Sequence, residues 1–498
     1  MRGYTCGVSR PRRAVSPLTV LLCALSLPAA AASPATDLFR AASGALSANY
    51  YGWSETDRPA LISRYAATLD ARCAGHAEAC TFDQGRAVVK EMLLQLHDPH
   101  TNIRDAEGAE RLREVQDDLT VPRTGLRVVK TPLGLLVVGV MPGSPAEAAG
   151  VRRFDLLTSV NGQPAVGRQA AAGGQKAAIE QTTAGIQGPV PGDAAQDDTS
   201  QAASGQADAV PPETETAGAP SAVDPAAFVR LERQQRPIAL SVSRAGRTLA
   251  LTLQTAPLKA RDVPILSWQP GAGGPVAVIE YPTFLPADSA DLFLSALRRA
   301  QAGGAAGLVI DLRYNGGGRL DQCVQAASAF MPTLYQARWL PAGTPGSNQA
   351  KQASWEYAAL NGQIASPSSV RKALSSPLAD QATTALWHGP VALLIDGNTA
   401  SCAEVFGHFA HAAGGLLVGQ PTKGVMNSGV NFFPLPDHGV MSVTMLRAYD
   451  LSGQALPDHL QPDLDVPADL EALTAQGQDT TLQAALGAVQ SRLAAGSR

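Results

Sequence analysis

Two short loops in the C-terminal half of the chain contain residue types that could carry out acyl-transfer chemistry. One is YNGGG at 314–318, and the other is NTASCAEVF at 398–406, which contains Ser401. Each follows an apolar run that predicts a buried strand, and α/β proteins place their sites in loops at the carboxyl ends of parallel strands. Glycines let the backbone approach a ligand closely and point amides at an anion. Ser401 beside the Cys402 amide therefore has the layout of a nucleophile with an oxyanion hole.

The same serine also fits a purely structural role. Ser401 and Glu404 have the S-x-x-E spacing of a capping box, in which a hydroxyl and a carboxylate satisfy free amides at a helix start. A nucleophilic serine needs, in addition, a base that takes its proton. Nothing within these nine residues decides between the two roles.

Composition limits the functional class. The chain has 498 residues, enough for about two to four domains. Its net charge is −4 and its charged residues are sparse, which argues against a nucleic-acid-binding protein. No spacing of cysteines or histidines matches a zinc site, so we expect no metal and no other cofactor.

The N-terminus has the features of a secretory signal peptide. A basic segment precedes a short apolar stretch that ends in small residues, so residues 1–32 are predicted to be removed. The mature protein is then exported, to the periplasm or outside the cell, with no membrane span. Cys73 and Cys80 flank a turn-like segment and suit a local disulfide in an oxidising compartment. Whether Cys323 pairs with Cys402 stays open.

The N-terminal half divides into two regions by the pattern of its apolar residues. Residues 36–110 have apolar residues three and four apart, which predicts a helical region. Residues 120–258 alternate apolar and polar positions, which predicts a β-rich module. An acidic, low-complexity insertion at about 165–225 interrupts this module, and we expect it to be disordered.

The C-terminal half has a different pattern. Residues 260–470 repeat strand–loop–helix units, which predicts an α/β core of parallel strands with helices packed on them. Within this core, 340–385 is polar and is predicted to be irregular. Residues 471–498 are predicted to form a helical tail.

Several motifs, all in register, resemble one peptidase family. GLVIDLRYNGGG, NTASCAEVF and VGQPTKG, in this order, are similar to the core motifs of the carboxyl-terminal processing (tail-specific) serine peptidases. GLRV and PGSPAEAAGVRRFDLLTSVNG resemble the PDZ domain of that family, LHDPHT the end of its helical region, and LQPDLDV a motif near its C-terminus. The resemblance covers most of 45–470. It implies a spiral core shared with the crotonase and Clp-type folds, and hydrolysis of peptide bonds.

The resemblance also implies roles for individual residues. Ser401 would be the nucleophile, and the amides of Cys402, Gly316 and Gly317 would form the oxyanion hole. The PDZ module would bind the C-terminal tail of a peptide or protein substrate by adding a strand to its edge. The residues at this edge are Gly125, Leu126, Arg127 and Val128. Phe154 stands where this module usually has glycine.

The general base is the point at which the chain departs from the main family pattern. Lysine-dependent members read T-x-G-K where this chain has TKGV, so Val425 stands in the position of the base. Lys423 is one alternative, although its pKa would have to be strongly lowered. His100, in DPHT, is the alternative we favour, because a lysine-lacking, tricorn-like branch uses a histidine from the N-terminal region and an ordinary imidazole suits the task. A third alternative is a catalytically silent relative that only binds peptides.

Overall fold

The computed structural model describes residues 33–75, 79–165, 222–271, 273–339, 353–376 and 385–496. The predicted signal peptide at 1–32 lies outside these ranges, and so does the predicted insertion from 166 to 221. Within them, no helix is both long and apolar enough to cross a membrane.

Three helices form the N-terminal region. They are α1 (Pro34–Asn49), α2 (Arg58–Cys73) and α3 (Phe82–Leu94). Each is capped by the residue before it, Ser33, Asp57 or Thr81, whose side chain accepts a hydrogen bond from a first-turn amide. A disulfide joins Cys73 at the end of α2 to Cys80 just before α3. The buried faces of the helices pack on one another and on a sheet of the C-terminal half.

The chain then leaves the helices through a short strand, which the sequence analysis did not predict. The elements are β1 (Asn102–Arg104), α4 (Ala106–Gln116) and β2 (Thr120–Arg123). The strand β1 exists because it pairs with a distant strand near residue 441, a tertiary contact that local periodicity cannot report. The helical region therefore extends beyond 110, to Gln116, and includes one strand.

The β-rich module is a twisted antiparallel sheet with two helices. Its elements are β3 (Leu126–Thr131), β4 (Gly134–Val140), α5 (Pro145–Ala148), β5 (Leu156–Val160), β6 (Gln163–Pro164), α6 (Pro225–Arg233), β7 (Ile238–Arg244), β8 (Arg247–Leu253) and β9 (Ala256–Lys259). The strand order is β3-β4-β5-β7-β8, with β6 paired to β5, while β9 pairs with β2. Phe154 takes a φ of 70°, a conformation that glycine adopts at no steric cost. Its ring lies beneath the guanidinium of Arg153.

The core is a second six-stranded sheet, parallel except at one edge. Its elements are β10 (Ile265–Gln269), β11 (Val276–Glu280), α7 (Ser289–Ala302), β12 (Gly307–Asp311), α8 (Leu320–Ala327), β16 (Val391–Ile395), α10 (Cys402–Ala412), β17 (Leu416–Gly419), β20 (Leu464–Asp465) and α11 (Thr480–Gly496). The order is β10-β11-β12-β16-β17-β20, with only β10 antiparallel to its neighbour.

Helices cover both faces of this sheet. One face packs against α7, α8 and α10. The other packs against α11, which follows a π-helical turn at Ala472–Gln476. The predicted tail is therefore a layer of the core. The α/β fold class is confirmed, and this architecture is consistent with a crotonase- or Clp-like core.

A third sheet lies between the core and the N-terminal helices. It contains β13 (Thr333–Trp339), β14 (Ala353–Leu360), β15 (Gln363–Ile364), β18 (Ser428–Pro434) and β19 (Val440–Tyr449). Its order is β1-β19-β13-β14-β15, and β18 pairs with β19 on the side away from β1 and β13.

The prediction that 340–385 is irregular is wrong where the structure describes this segment. It contains β14, β15 and a helix α9 (Pro367–Leu374). The residues of β14 form a ladder with β13, which turns a weak local pattern into a strand. The helix begins at a Ser366 cap followed by a proline in the first turn, a start signal that the sequence analysis overlooked.

Candidate active site

Ser401 lies at a sharp turn between β16 and α10. Its φ of 55° and ψ of −118° are unusual for a residue with a side chain, and such strain concentrates at functional sites. The turn is fixed by Asp396, whose Oδ1 accepts hydrogen bonds from the amides of Thr399 at 2.9 Å and Tyr314 at 3.1 Å. Asp396 thus ties the serine loop to the loop containing the glycines. A serine on a strained strand-to-helix turn resembles the geometry that exposes the nucleophile in α/β-hydrolases.

Among the described residues, His100 is the titratable side chain within hydrogen-bond distance of the Ser401 hydroxyl. Its Nε2 is 3.1 Å from Ser401 Oγ, and its Nδ1 is 2.9 Å from Ser428 Oγ. Ser428 Oγ in turn lies 3.4 Å from the carbonyl oxygen of Val425. This chain of contacts favours the tautomer with the proton on Nδ1, because Ser428 can then accept from Nδ1 and donate to the carbonyl. Nε2 is left as an acceptor, which is what a general base requires.

Surrounding protein changes the proton affinity of this imidazole. Burial lowers the pKa of His100 to about 4, with a further lowering by the Arg104 charge and an opposing effect from Asp98. The Asp98 carboxylate does not contact the ring nitrogens. Its oxygens accept from the His100 amide and the Thr101 hydroxyl, both at 3.0 Å, and so hold the DPHT turn. The imidazole is therefore neutral at physiological pH.

The other two acid–base candidates lie elsewhere. The Lys423 side chain is exposed, and no hydrogen bond described in the structure joins it to Ser401. Its amide donates to the Thr399 carbonyl at 2.9 Å. The Glu404 carboxylate is buried and accepts from the amides of Ser401, Gly424 and Val425 and from the Thr422 hydroxyl. Glu404 therefore fastens the TKGV segment to the start of α10, which is a structural role.

The glycine loop approaches the serine turn closely. A Cβ on Gly317 would lie 2.8 Å from both Ser401 Cβ and Cys402 N, and the φ of this residue is 93°. Only glycine fits here. The Gly317 amide donates to Asn315 Oδ1 at 2.9 Å, so it is not available to an oxyanion in this state. The amides of Gly316 and Cys402 have no acceptor among the described residues, so these two amides are the ones that could bind an oxyanion.

A disulfide adjoins this pair of amides. Cys402 is bonded to Cys323 on α8, and both residues are fully buried. This pairing, which the sequence does not decide, is formed in the structure. The helix that starts beside Ser401 is thereby tied covalently to its neighbour in the core.

Ser428 is the residue of this cluster that sequence reasoning missed. It lies at the first position of β18 and has no motif around it. It reaches His100 only because β18 and β1 flank β19, which brings residues 328 positions apart into contact. No local signal could have identified it.

The predicted peptide-binding edge lies at a separate place. Leu126, Arg127 and Val128 belong to β3, which ends the antiparallel sheet. Arg127 Nη1 donates to the carbonyls of Pro282 and Tyr314, each at 3.2 Å, so β3 is joined to the glycine loop of the core. Gly125 turns into this strand with a φ of 88°. In the described part of the chain, no cluster of His, Cys, Asp and Glu could hold a metal ion.

Comparison with known proteins agrees with this architecture. Residues 275–466 match peptidase family S41, and residues 136–172 match a PDZ domain. A search of curated proteins finds no significant match.

Several solved structures are similar to the chain over most of its length. A Bacteroides fragilis protein described as an S41 protease is 16% identical, with 90% of this chain and 97% of that chain covered and a TM-score of 0.50. The photosystem II D1 C-terminal processing protease is 17% identical, with coverages of 89% and 97% and a TM-score of 0.44. Mature CPAF in complex with lactacystin is 13% identical, with coverages of 92% and 98% and a TM-score of 0.45. The family matches identify a peptidase family S41 domain at residues 275–466 and a PDZ domain before it, and the chain is a serine-type peptidase.

Proposed function

We propose that this chain is an exported endopeptidase in which Ser401 is the nucleophile and His100 the general base. The observation that carries the proposal is the 3.1 Å contact between His100 Nε2 and Ser401 Oγ. A neutral imidazole at this distance can accept the hydroxyl proton directly. Among the described residues Lys423 makes no comparable contact with Ser401, and Glu404 accepts from four donors.

The geometry supports acyl transfer in two steps. Ser401 Oγ attacks the carbonyl carbon of the scissile peptide bond while His100 Nε2 takes its proton. The amides of Gly316 and Cys402 stabilise the oxyanion that forms. The C–N bond then breaks as His100 returns the proton to the leaving amine. Water, deprotonated by the same imidazole, hydrolyses the acyl-enzyme ester and restores Ser401.

Ser428 has a supporting role in this mechanism. Its hydroxyl accepts from Nδ1 of His100, which holds the ring in the orientation and tautomer that present Nε2 to Ser401. In many serine hydrolases a carboxylate occupies this position and also stabilises the imidazolium. A neutral hydroxyl stabilises the imidazolium less, and burial lowers the pKa of His100.

The substrates we propose are peptides and proteins whose C-terminal tails dock on the PDZ domain. The edge strand β3 is free on one side among the described strands, and an extended peptide can add there. Export is supported by the two disulfides, which persist in oxidising compartments, and by the signal-peptide pattern of the N-terminus. Disulfides at Cys73–Cys80 and Cys323–Cys402 would not be maintained in a reducing cytosol.

Fluorophosphonate labelling of the folded protein tests the assignment of nucleophile and base. We expect labelling of wild type, none in Ser401→Ala, and a labelling rate lower by about 10²- to 10⁴-fold in His100→Ala. Lys423→Ala is the matched control and should label at the wild-type rate. Loss in Lys423→Ala with retention in His100→Ala would reverse the assignment of the base. No labelling of folded wild type would instead favour a relative that only binds peptides.

A further inference from the structure

A buried carboxylate occupies the turn that leads into the PDZ edge strand. Glu232, on α6, is only 4% exposed, and Thr124, in the turn before β3, is fully buried. The Thr124 amide donates to Glu232 Oε1 at 2.7 Å and its hydroxyl donates to the same oxygen at 2.6 Å. This turn therefore binds a carboxylate, and the carboxylate comes from the chain itself.

The Glu232 carboxylate lies next to the start of β3, the strand to which a peptide would add. A peptide that adds antiparallel to β3 runs so that its C-terminus reaches the start of that strand, beside Thr124. Its terminal carboxylate would need the donors of this turn, and Glu232 now uses two of them, the amide and the hydroxyl of Thr124. The Leu126 amide is likewise engaged, since it donates to Thr124 Oγ1 at 3.3 Å. The amides of Thr124 and Leu126 are thus already engaged in the resting turn.

The helix that carries Glu232 is held firmly in place. Arg233 bonds to Glu110 at 2.7 Å and to Glu114 at 2.8 Å, which anchors α6 to α4. Phe228 of α6 is 1% exposed in the core of the module. Burial raises the pKa of Glu232, whereas the hydrogen bonds from Thr124 lower it, so the carboxylate depends on this turn for its stabilisation.

We propose that Glu232 occupies the site at which the PDZ domain would take the terminal carboxylate of a substrate, so that a free C-terminus binds well only when Glu232 is displaced. This inference rests on the proposed docking of peptides along β3. It makes Glu232 a specificity-determining residue: with Glu232 in place, the protein distinguishes poorly between a free C-terminus and a C-terminal amide.

The experiment uses the full-length Ser401→Ala protein, so that bound peptides are not cleaved. The probe is a pool of peptides randomised at the last four residues and prepared both as free acids and as C-terminal amides. The immobilised protein retains a fraction of each form, which mass spectrometry quantifies. We expect an acid-to-amide ratio near one with Glu232 present. In Glu232→Ala the ratio should rise about tenfold or more, because charge-assisted hydrogen bonds from the turn become available to the acid.

Two further variants make the result decisive. Glu232→Gln keeps the shape of the side chain without its charge and should raise the ratio less than Glu232→Ala; it also replaces that variant if the latter does not fold. Arg233→Ala is the matched control, because it removes the ion pairs between α6 and α4 but keeps Glu232 and its hydrogen bonds to Thr124. Its ratio should stay near one, and a rise equal to that in Glu232→Ala would mean that disturbance of α6, and not removal of the carboxylate, explains the effect.

The possible failures of the two proposals are distinct. A strong preference for acids with Glu232 present, unchanged by its replacement, would overturn this inference while supporting the docking of C-termini on the PDZ domain. Absence of peptide binding in every variant would overturn both the inference and the docking proposal, and fluorophosphonate labelling would still decide the peptidase activity separately.

Discussion

Peptidase activity should persist in acid far below the pH at which an ordinary histidine becomes protonated. Burial lowers the pKa of His100 to about 4, so the neutral, proton-accepting form survives as the pH falls, and the rate declines only as pH passes through that value. At pH 5.5 a pKa of about 4 leaves roughly 97% of the imidazole neutral, whereas the ordinary value of about 6.5 would leave roughly 9%. The activity at pH 5.5 relative to pH 8 therefore differs about tenfold between the two cases.

The assay is kcat/KM for a fluorogenic peptide between pH 3.5 and 9, since this quantity reports the ionisation of the free enzyme. Circular dichroism at each pH serves as the control for unfolding. It is needed because the pKa of His100 lies lower in the folded than in the unfolded state, so its contribution to stability is lost as the pH falls from the unfolded value toward about 4. Arg104→Gln should shift the acid limb to higher pH, because the Arg104 charge contributes to lowering the pKa.

An acid limb at pH 6 or above in the folded wild-type protein would refute this reasoning. Such a limb would mean either that His100 is well solvated or that another group is the base. A profile that Lys423→Ala displaces and His100→Ala does not would point to the lysine.

Three substitutions test other parts of the site. Ser428→Ala removes the hydroxyl that accepts a hydrogen bond from Nδ1 of His100, so steady-state kinetics should show kcat reduced about 2- to 10-fold with little change in KM. An unchanged kcat with KM raised by the same factor would contradict a positioning role. Gly317→Ala places a methyl group 2.7 Å from the Ala400 carbonyl at a φ of 93°, and fluorophosphonate labelling should slow by about 10²-fold. Gly414→Ala has a similar φ of 95° with open space around it, and it should label normally; slow labelling there would mean that backbone strain alone explains the effect. Cys323→Ala opens a disulfide with a sequence separation of 79, whereas the Cys73–Cys80 disulfide has a separation of 7. Because a longer closed loop restricts the unfolded chain more, urea unfolding should show the free energy of unfolding reduced by about 4.5 kcal/mol in Cys323→Ala and by about 2.5 kcal/mol in Cys73→Ala. Equal reductions would contradict this dependence on loop length.

The α/β class of the core could be predicted from sequence because its signals are local. A run of five or six apolar residues followed by a glycine-rich or serine-containing turn predicts a buried strand and the loop after it, and this holds at both Asp311 and Ile395. The same locality explains the failure at 340–385, where β14 depends on its ladder with β13. The free energy of strand pairing depends on a partner that is distant in sequence, so the sequence of one segment does not reveal it.

The sequence by itself determined which residue types were present for chemistry: a serine before a helix, three glycines after a strand, and two basic side chains that could accept its proton. Tertiary structure decided which base lies within reach. The pairing of β1 and β18 with β19 brings His100 to Ser428, 328 positions away, and the fold brings it to Ser401, 301 positions away, while Lys423 faces solvent. Proton transfer requires a separation of about 3 Å, and only the folded chain sets such distances, because they arise from strand register and packing rather than from any motif.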